Sequence, residues 1–136
     1  MIGTIVVTHG NIGRELVRAT QSIVRESLPM EGIGLEHGES VESMRKKIEV
    51  AMADLQKRYP TLESFLLLSD MFGGTPSNLC LSFLYEGKVE VVTGVNLPML
   101  IKLAHFEEKK PLKKIAAFIK DYGQKNITLA SDILKG

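Results

Sequence analysis

The sequence predicts an α/β fold: one open, doubly wound sheet of about four parallel strands, with helices on both faces. Three observations predict it. Short apolar runs alternate with amphipathic stretches of helical period along the whole chain. One run, Phe65-Leu66-Leu67-Leu68-Ser69, is continuously apolar, as a parallel strand covered on both faces must be. The chain's 136 residues, 44% of them hydrophobic, suit a single domain, 1–136, with a sizeable core.

Residues 2–8, rich in Ile, Val and Thr and ending at His9-Gly10, read as a buried first strand. Ile12, Leu16, Ala19, Thr20, Ile23 and Val24 then recur at helical spacing, and Leu28-Pro29 ends that helix. A second strand is expected over 32–37, although two glycines interrupt it. Ser40 starts a second helix with Val41, Met44, Ile48, Ala51, Met52 and Leu55 as its inward stripe, closed by Tyr59-Pro60. The third strand, 65–69, ends at Asp70. After Met71-Phe72-Gly73-Gly74, Thr75 is expected to cap a helix whose first residue is Pro76. Residues 88–93 form a fourth strand. Asn96 with Pro98 marks a helix start through Leu100, Ile101 and Leu103. Lys110-Pro111 opens the last helix, with Leu112, Ile115, Ala116 and Ile119 on one face, and residues 127–130 are a candidate final strand.

Composition excludes several classes of function. Lys+Arg number 17 against 16 Asp+Glu, a balance that gives no footing for nucleic acid, whose binding needs clustered cations. The single cysteine, Cys80, excludes an internal disulfide and a Cys-based zinc cage, and reads as a small buried apolar residue. Met1 runs directly into a strand pattern, with no basic leader and no apolar stretch near the ~18 residues of a membrane span, so a cytoplasmic protein is expected. His37 and His105 read as structural or surface residues, and the run 107–110 and Lys113-Lys114 as solvated charges. No second histidine stands at metal-ligand spacing, and neither a dinucleotide fingerprint nor a P-loop lysine is present. No metal or cofactor is expected.

The unusual residues gather where strands end: His9-Gly10 after the first, Asp70 to Pro76 after the third, and Gly94 to Pro98 after the fourth. Ligands in open parallel sheets bind beyond the carboxyl ends of the strands, where the strand order reverses. With the order 2-1-3-4 the reversal lies between strands one and three, so His9 and Asp70 face each other across it. A carboxylate that accepts a hydrogen bond from one imidazole nitrogen leaves the other as a nucleophilic lone pair. Gly73-Gly74-Thr75, at a helix start, offers unpartnered N–H groups to an anion. A histidine nucleophile, its orienting acid and an anion cradle are what a phosphohistidine requires.

Thr8-His9-Gly10, Ser69-Asp70 with Phe72-Gly73-Gly74-Thr75-Pro76-Ser77-Asn78, and Gly94-Val95-Asn96-Leu97-Pro98-Met99-Leu100 carry a resemblance over nearly the full chain. The sequence resembles the mannose-type IIA subunit of the bacterial phosphoenolpyruvate-dependent sugar phosphotransferase system. The resemblance implies that His9 accepts phosphate from the phosphocarrier HPr and passes it to a histidine of a IIB partner, during sugar uptake through membrane IIC and IID subunits. It matches Asp70 to the orienting acid and Gly73, Gly74 and Thr75 to the phosphate-holding segment, with Thr8 and Asn96 in support. It implies a homodimer that exchanges a C-terminal strand, for which 127–130 is the candidate. Phe72 stands where family members often carry Trp, and Asn11 where a bulkier aromatic occurs, so the docking rim departs from the pattern. The chain stops at Gly136 without an appended IIB domain, so a separate IIB chain, or none, is expected. The competing functions are a stand-alone regulatory phosphohistidine module, and a simple anion- or nucleotide-binding domain in which His9 is only a contact.

Overall fold

The computed structural model describes residues 1–107 and 109–134, so Glu108 of the charge run lies outside the described residues. The chain runs β1 (Ile2–His9), α1 (Ile12–Val24), β2 (Met30–Leu35), α2 (Val41–Arg58), β3 (Ser64–Ser69), α3 (Thr75–Leu81), β4 (Val89–Thr93), α4 (Leu97–Ala104), α5 (Leu112–Lys125) and α6 (Ala130–Leu134). The strands form one parallel sheet in the order β2-β1-β3-β4, with Val7 opposite Ser69 and Ser69 opposite Thr93. The order reverses between β1 and β3, as the sequence predicts.

Period-two alternation sends successive strand side chains to opposite faces. Ile5 and Val7 of β1 and Phe65 and Leu67 of β3 pack with Met44, Ile48, Ala51 and Leu55 of α2 and with Leu79 and Cys80 of α3. Val6, Leu66 and Leu68 point the other way, against Val17 of α1, Met99 and Leu100 of α4 and Ile115, Ala116 and Ile119 of α5. Both central strands are thus covered twice, which is why residues 66–68 carry three leucines at 0% exposure. Ser40 caps α2 by accepting a hydrogen bond from the Ser43 N–H at 3.1 Å. Asn96 does the same for α4 through Met99.

Three expectations are corrected. The second strand begins at Met30, two residues before the predicted start, because Met30 is buried and pairs with Thr4. It stops at Leu35, so His37 falls in the exposed turn that follows. The cap of α3 is Gly74 in extended geometry, and Thr75 is the first helical residue. Residues 127–129 form no strand, and Ala130 opens a short helix. A strand needs a paired edge, and Ile127, Leu129, Ile133 and Leu134 are instead left exposed.

The two glycines that weaken the second strand in sequence terms are what let the neighbouring segments close over it. A Cβ on Gly32 would meet Gly13 O at 2.5 Å and the Arg14 backbone at 2.6 Å. A Cβ on Gly34 would collide with the carbonyl of Gly10, the residue after His9. These contacts are with backbone, which yields less than a side-chain tip does. Gly34→Ala is therefore expected to lower the free energy of unfolding by about 1–3 kcal/mol in urea titration. Unchanged stability would contradict the close packing of the segment after His9 on β2.

Candidate functional site

Parallel pairing of β1 with β3 brings their carboxyl ends level, and the site is built there. Asp70 follows Ser69 and turns its carboxylate toward the end of β1. Its Oδ2 accepts two hydrogen bonds from one residue: His9 N–H at 3.0 Å and the His9 ring at Nδ1, 2.7 Å away. Oδ1 accepts the N–H of Met71 at 3.0 Å. Partial burial pushes the Asp70 carboxyl up, but the hydrogen bonds from the His9 ring and backbone, with the charge of the ring, outweigh it. The carboxyl is held below its ordinary range. An ionised carboxylate is an acceptor only, so in the neutral form of the ring this contact places the proton on Nδ1 and the lone pair on Nε2. The His9 side chain is 53% exposed and that of Asp70 15%, so the ring stands at the surface while its acid is half-hidden behind it.

Thr8 fixes the backbone beneath His9. Its fully buried hydroxyl accepts the Gly13 N–H at 2.7 Å and donates to the His9 carbonyl at 3.1 Å. Asn11, at the α1 N-cap position, makes no side-chain cap, so the Thr8 hydroxyl satisfies a first-turn donor in its place.

The Gly73-Gly74 turn lies along the other edge of the ring. Gly73 sits at φ +91°, a conformation side-chain-bearing residues rarely adopt. A Cβ on Gly74 would stand 3.1 Å from His9 Cε1 and 3.5 Å from Nε2, so glycine is what allows the backbone this close. The Gly73 N–H is already donated to the hydroxyl of Ser77, at 2.9 Å. That serine belongs to the Gly-Gly-Thr-Pro-Ser-Asn segment, yet sequence reasoning gave it no role. A small polar residue one helical turn past a Gly-Gly pair is its only signal.

Asn96 does not join this cluster. It caps α4 and donates to Gly123 O at 3.1 Å, tying α4 to α5. Its loop is anchored nearby, since the N–H groups of Gly94 and Val95 both donate to Ser69 O at 3.0 Å. Cys80 is fully buried, and burial, with the charge of Asp70 adding, pushes its thiol up to about 12. It is inert packing. His105 binds the Ile101 carbonyl through Nδ1, away from the site. Among the described residues no three His, Cys, Asp or Glu side chains gather to hold a metal ion, and no helix is long and apolar enough to cross a membrane.

The family model EIIA-man, described as the PTS system fructose IIA component, matches residues 3–120. The chain belongs to this family. It is 29% identical over 136 residues to a PTS system fructose-specific EIIA component of Bacillus subtilis, covering 99% of this chain and 90% of that one. It is 27% identical over 111 residues to the PTS system mannose-specific EIIAB component of Escherichia coli, covering 81% of this chain but 33% of that longer protein. A crystal structure of the PTS IIA protein associated with the fucose utilization operon of Streptococcus pneumoniae superposes with a TM-score of 0.80 at 26% identity. That match covers 98% of this chain and 96% of the other. The α/β sheet and its strand order are thus those of a IIA protein, a phosphotransferase component of a sugar phosphotransferase system.

The lowered Asp70 carboxyl has a signed consequence. A group depressed on folding contributes stability that is complete above its unfolded pKa, about 3.9 for Asp, and is lost as pH falls through the folded value. The stability difference between the parent and Asp70→Asn is expected to shrink as pH falls from about 5 toward 3, measured by denaturant titration. A difference that stays constant over that range would contradict the hydrogen-bonded carboxylate.

Proposed function

We propose that His9 is the residue that takes up and releases the phosphoryl group of this IIA protein, with Asp70 orienting it. The observation that carries the reading is the 2.7 Å contact of His9 Nδ1 with Asp70 Oδ2, which leaves Nε2 as the ring nitrogen able to attack. The lone pair of Nε2 attacks the phosphorus of phosphorylated HPr. A new N–P bond forms as the bond to HPr breaks, and that bond's electron pair leaves with HPr. Asp70 stabilises the charged ring that results. Transfer to a histidine of IIB reverses the step: the Nε2–P bond breaks and its electron pair returns to His9.

In this reading Gly74 and Thr75, at the start of α3, donate to the phosphate oxygens through their N–H groups and the Thr75 hydroxyl. Gly73 supplies the turn, because its own N–H is engaged by Ser77. Thr8 and the Asn96 loop hold the backbone beneath the site. The partners are HPr, a IIB chain and, beyond it, the membrane IIC and IID subunits. The relatives are named for fructose, mannose and fucose while sharing this fold, as suits a subunit that carries phosphate and never touches the sugar. No observation favours the regulatory alternative.

A homodimer belongs to the same proposal. β4 is an edge strand, bridged by Tyr85 at Val89, and beyond that bridge it runs beside a groove lined by Phe72, Leu81, Val91, Ala116 and Lys120. The exposed apolar residues Ile127, Leu129, Ile133 and Leu134 supply a segment to cover that edge on a second copy. A chain truncated after Asn126 is expected to sediment as a monomer while the parent sediments as a dimer. Equal masses would contradict the exchange.

The test of the central reading is phosphorylation with enzyme I, HPr and phosphoenolpyruvate. The parent is expected to gain acid-labile, base-stable phosphate and His9→Ala none, whereas equal labelling of His9→Ala would overturn the assignment. Asp70→Ala is expected to fold but to accept phosphate about 100-fold more slowly, the scale of cost for a misplaced reacting group.

A further inference from the structure

We propose that Ser77 is a positioning residue for phosphoryl transfer, acting on His9 through the Gly73-Gly74 turn; this rests on the reading that His9 Nε2 carries the phosphoryl group. Ser77 never touches the ring. Its side chain is completely buried on α3, and one hydroxyl makes two hydrogen bonds to consecutive residues of the turn. It accepts the Gly73 N–H at 2.9 Å and donates to the Gly74 carbonyl at 3.0 Å. The two bonds run in opposite senses, so they fix the peptide groups on either side of the pair, Phe72–Gly73 and Gly74–Thr75.

That turn needs fixing. Gly73 is in the left-handed region at φ +91° and Gly74 is extended, at φ −88° and ψ 171°. Consecutive glycines have the widest conformational choice of any pair, and ordering them costs the most backbone entropy. Nothing about Gly-Gly itself selects this geometry; the serine hydroxyl holds it at Gly73, and at Gly74 it shares the carbonyl with the Asn78 N–H, 3.0 Å away. The turn in turn stands against the Cε1–Nε2 edge of His9, within van der Waals reach of a Cβ built on Gly74. Asp70 therefore holds the Nδ1 side of the ring and the Ser77-clasped turn bounds the Nε2 side. Without the hydroxyl the turn samples other geometries, and the backbone beside the reacting nitrogen is no longer held.

The occupied Gly73 N–H is the price of this arrangement, since one donor of the turn is spent on the clasp. The neighbouring Thr8 works the same way, a buried hydroxyl accepting one backbone N–H and donating to one backbone carbonyl, on the other strand end. Both sides of the site are thus set by buried hydroxyls acting on backbone.

The test compares the parent with Ser77→Ala and Ser77→Cys, the second nearly isosteric but a weak hydrogen-bonding partner. Removal of a hydroxyl leaves no steric conflict, and the thermal midpoint of each variant is measured alongside. Rapid-mixing kinetics with phosphorylated HPr as donor are expected to give an unchanged KM and a kcat roughly 10- to 100-fold lower in Ser77→Ala, with Ser77→Cys between. Amide hydrogen exchange at Gly73 is expected to accelerate in Ser77→Ala while that of the β1 and β3 strands stays as in the parent. Unchanged kcat in Ser77→Ala overturns the proposal, as does a loss that tracks the thermal midpoint without faster exchange at Gly73. If the parent accepts no phosphate, the reading of His9 and this proposal fall together. If the parent is labelled and Ser77→Ala transfers normally, this proposal alone falls.

Discussion

The double hydrogen bond from His9 to a single oxygen of Asp70 is the interaction on which the site depends. The backbone N–H of His9 sets where the carboxylate stands relative to the end of β1, and the ring Nδ1 sets how the imidazole is turned. Either bond alone leaves a rotation free. Together they hold the ring in one orientation while more than half of its side-chain surface is open to a partner. An exposed imidazole ordinarily turns freely, so a carrier that must present one nitrogen to two different proteins needs this constraint. The third hydrogen bond, from the Met71 N–H, anchors the carboxylate to its own loop.

The sheet exists, from the point of view of the chemistry, to bring two chain segments sixty-one residues apart into that contact. Parallel pairing of β1 with β3 places Val7 opposite Ser69, so the residues that follow emerge side by side. Reversal of the strand order there sends α1 to one face and α3 to the other, which opens the space above the strands. Burial of the central strands on both faces holds the register, because a slip of one residue would turn Ile5 and Val7 to the wrong face. The glycines of β2 belong to the same geometry: they let Gly10 and the start of α1 lie against the strand, and so fix where the segment carrying His9 ends.

Much of this was legible in the sequence, for identifiable reasons. The apolar run 65–69 and the helical stripes of α1, α2 and α5 follow from burial alone, and the strand order follows from placing chemistry-bearing residues at a switch point. That His9 and Asp70 meet was readable because both stand at the carboxyl ends of strands that the predicted order makes neighbours. What was not readable depends on tertiary geometry. The start of β2 shifted because Met30 pairs with Thr4, and propensity discounts a strand with two glycines whose value lies in what they let approach. The cap of α3 moved from Thr75 to Gly74 because its place is set by the turn against His9. The tie that the Asn96 side chain makes between α4 and α5 is tertiary as well. Ser77 went unread because its two partners are backbone atoms, which leave no trace in residue type.

The central claim is that Asp70 holds Nδ1 protonated, so that Nε2 carries the phosphoryl group. Long-range proton–nitrogen correlation spectra of the phosphorylated, ring-15N-labelled protein, with phosphorus coupling, report which ring nitrogen bears phosphorus and which bears the proton. The account predicts phosphorus on Nε2 of His9 and a proton on Nδ1. Phosphorus on Nδ1, or on any residue other than His9, would contradict it.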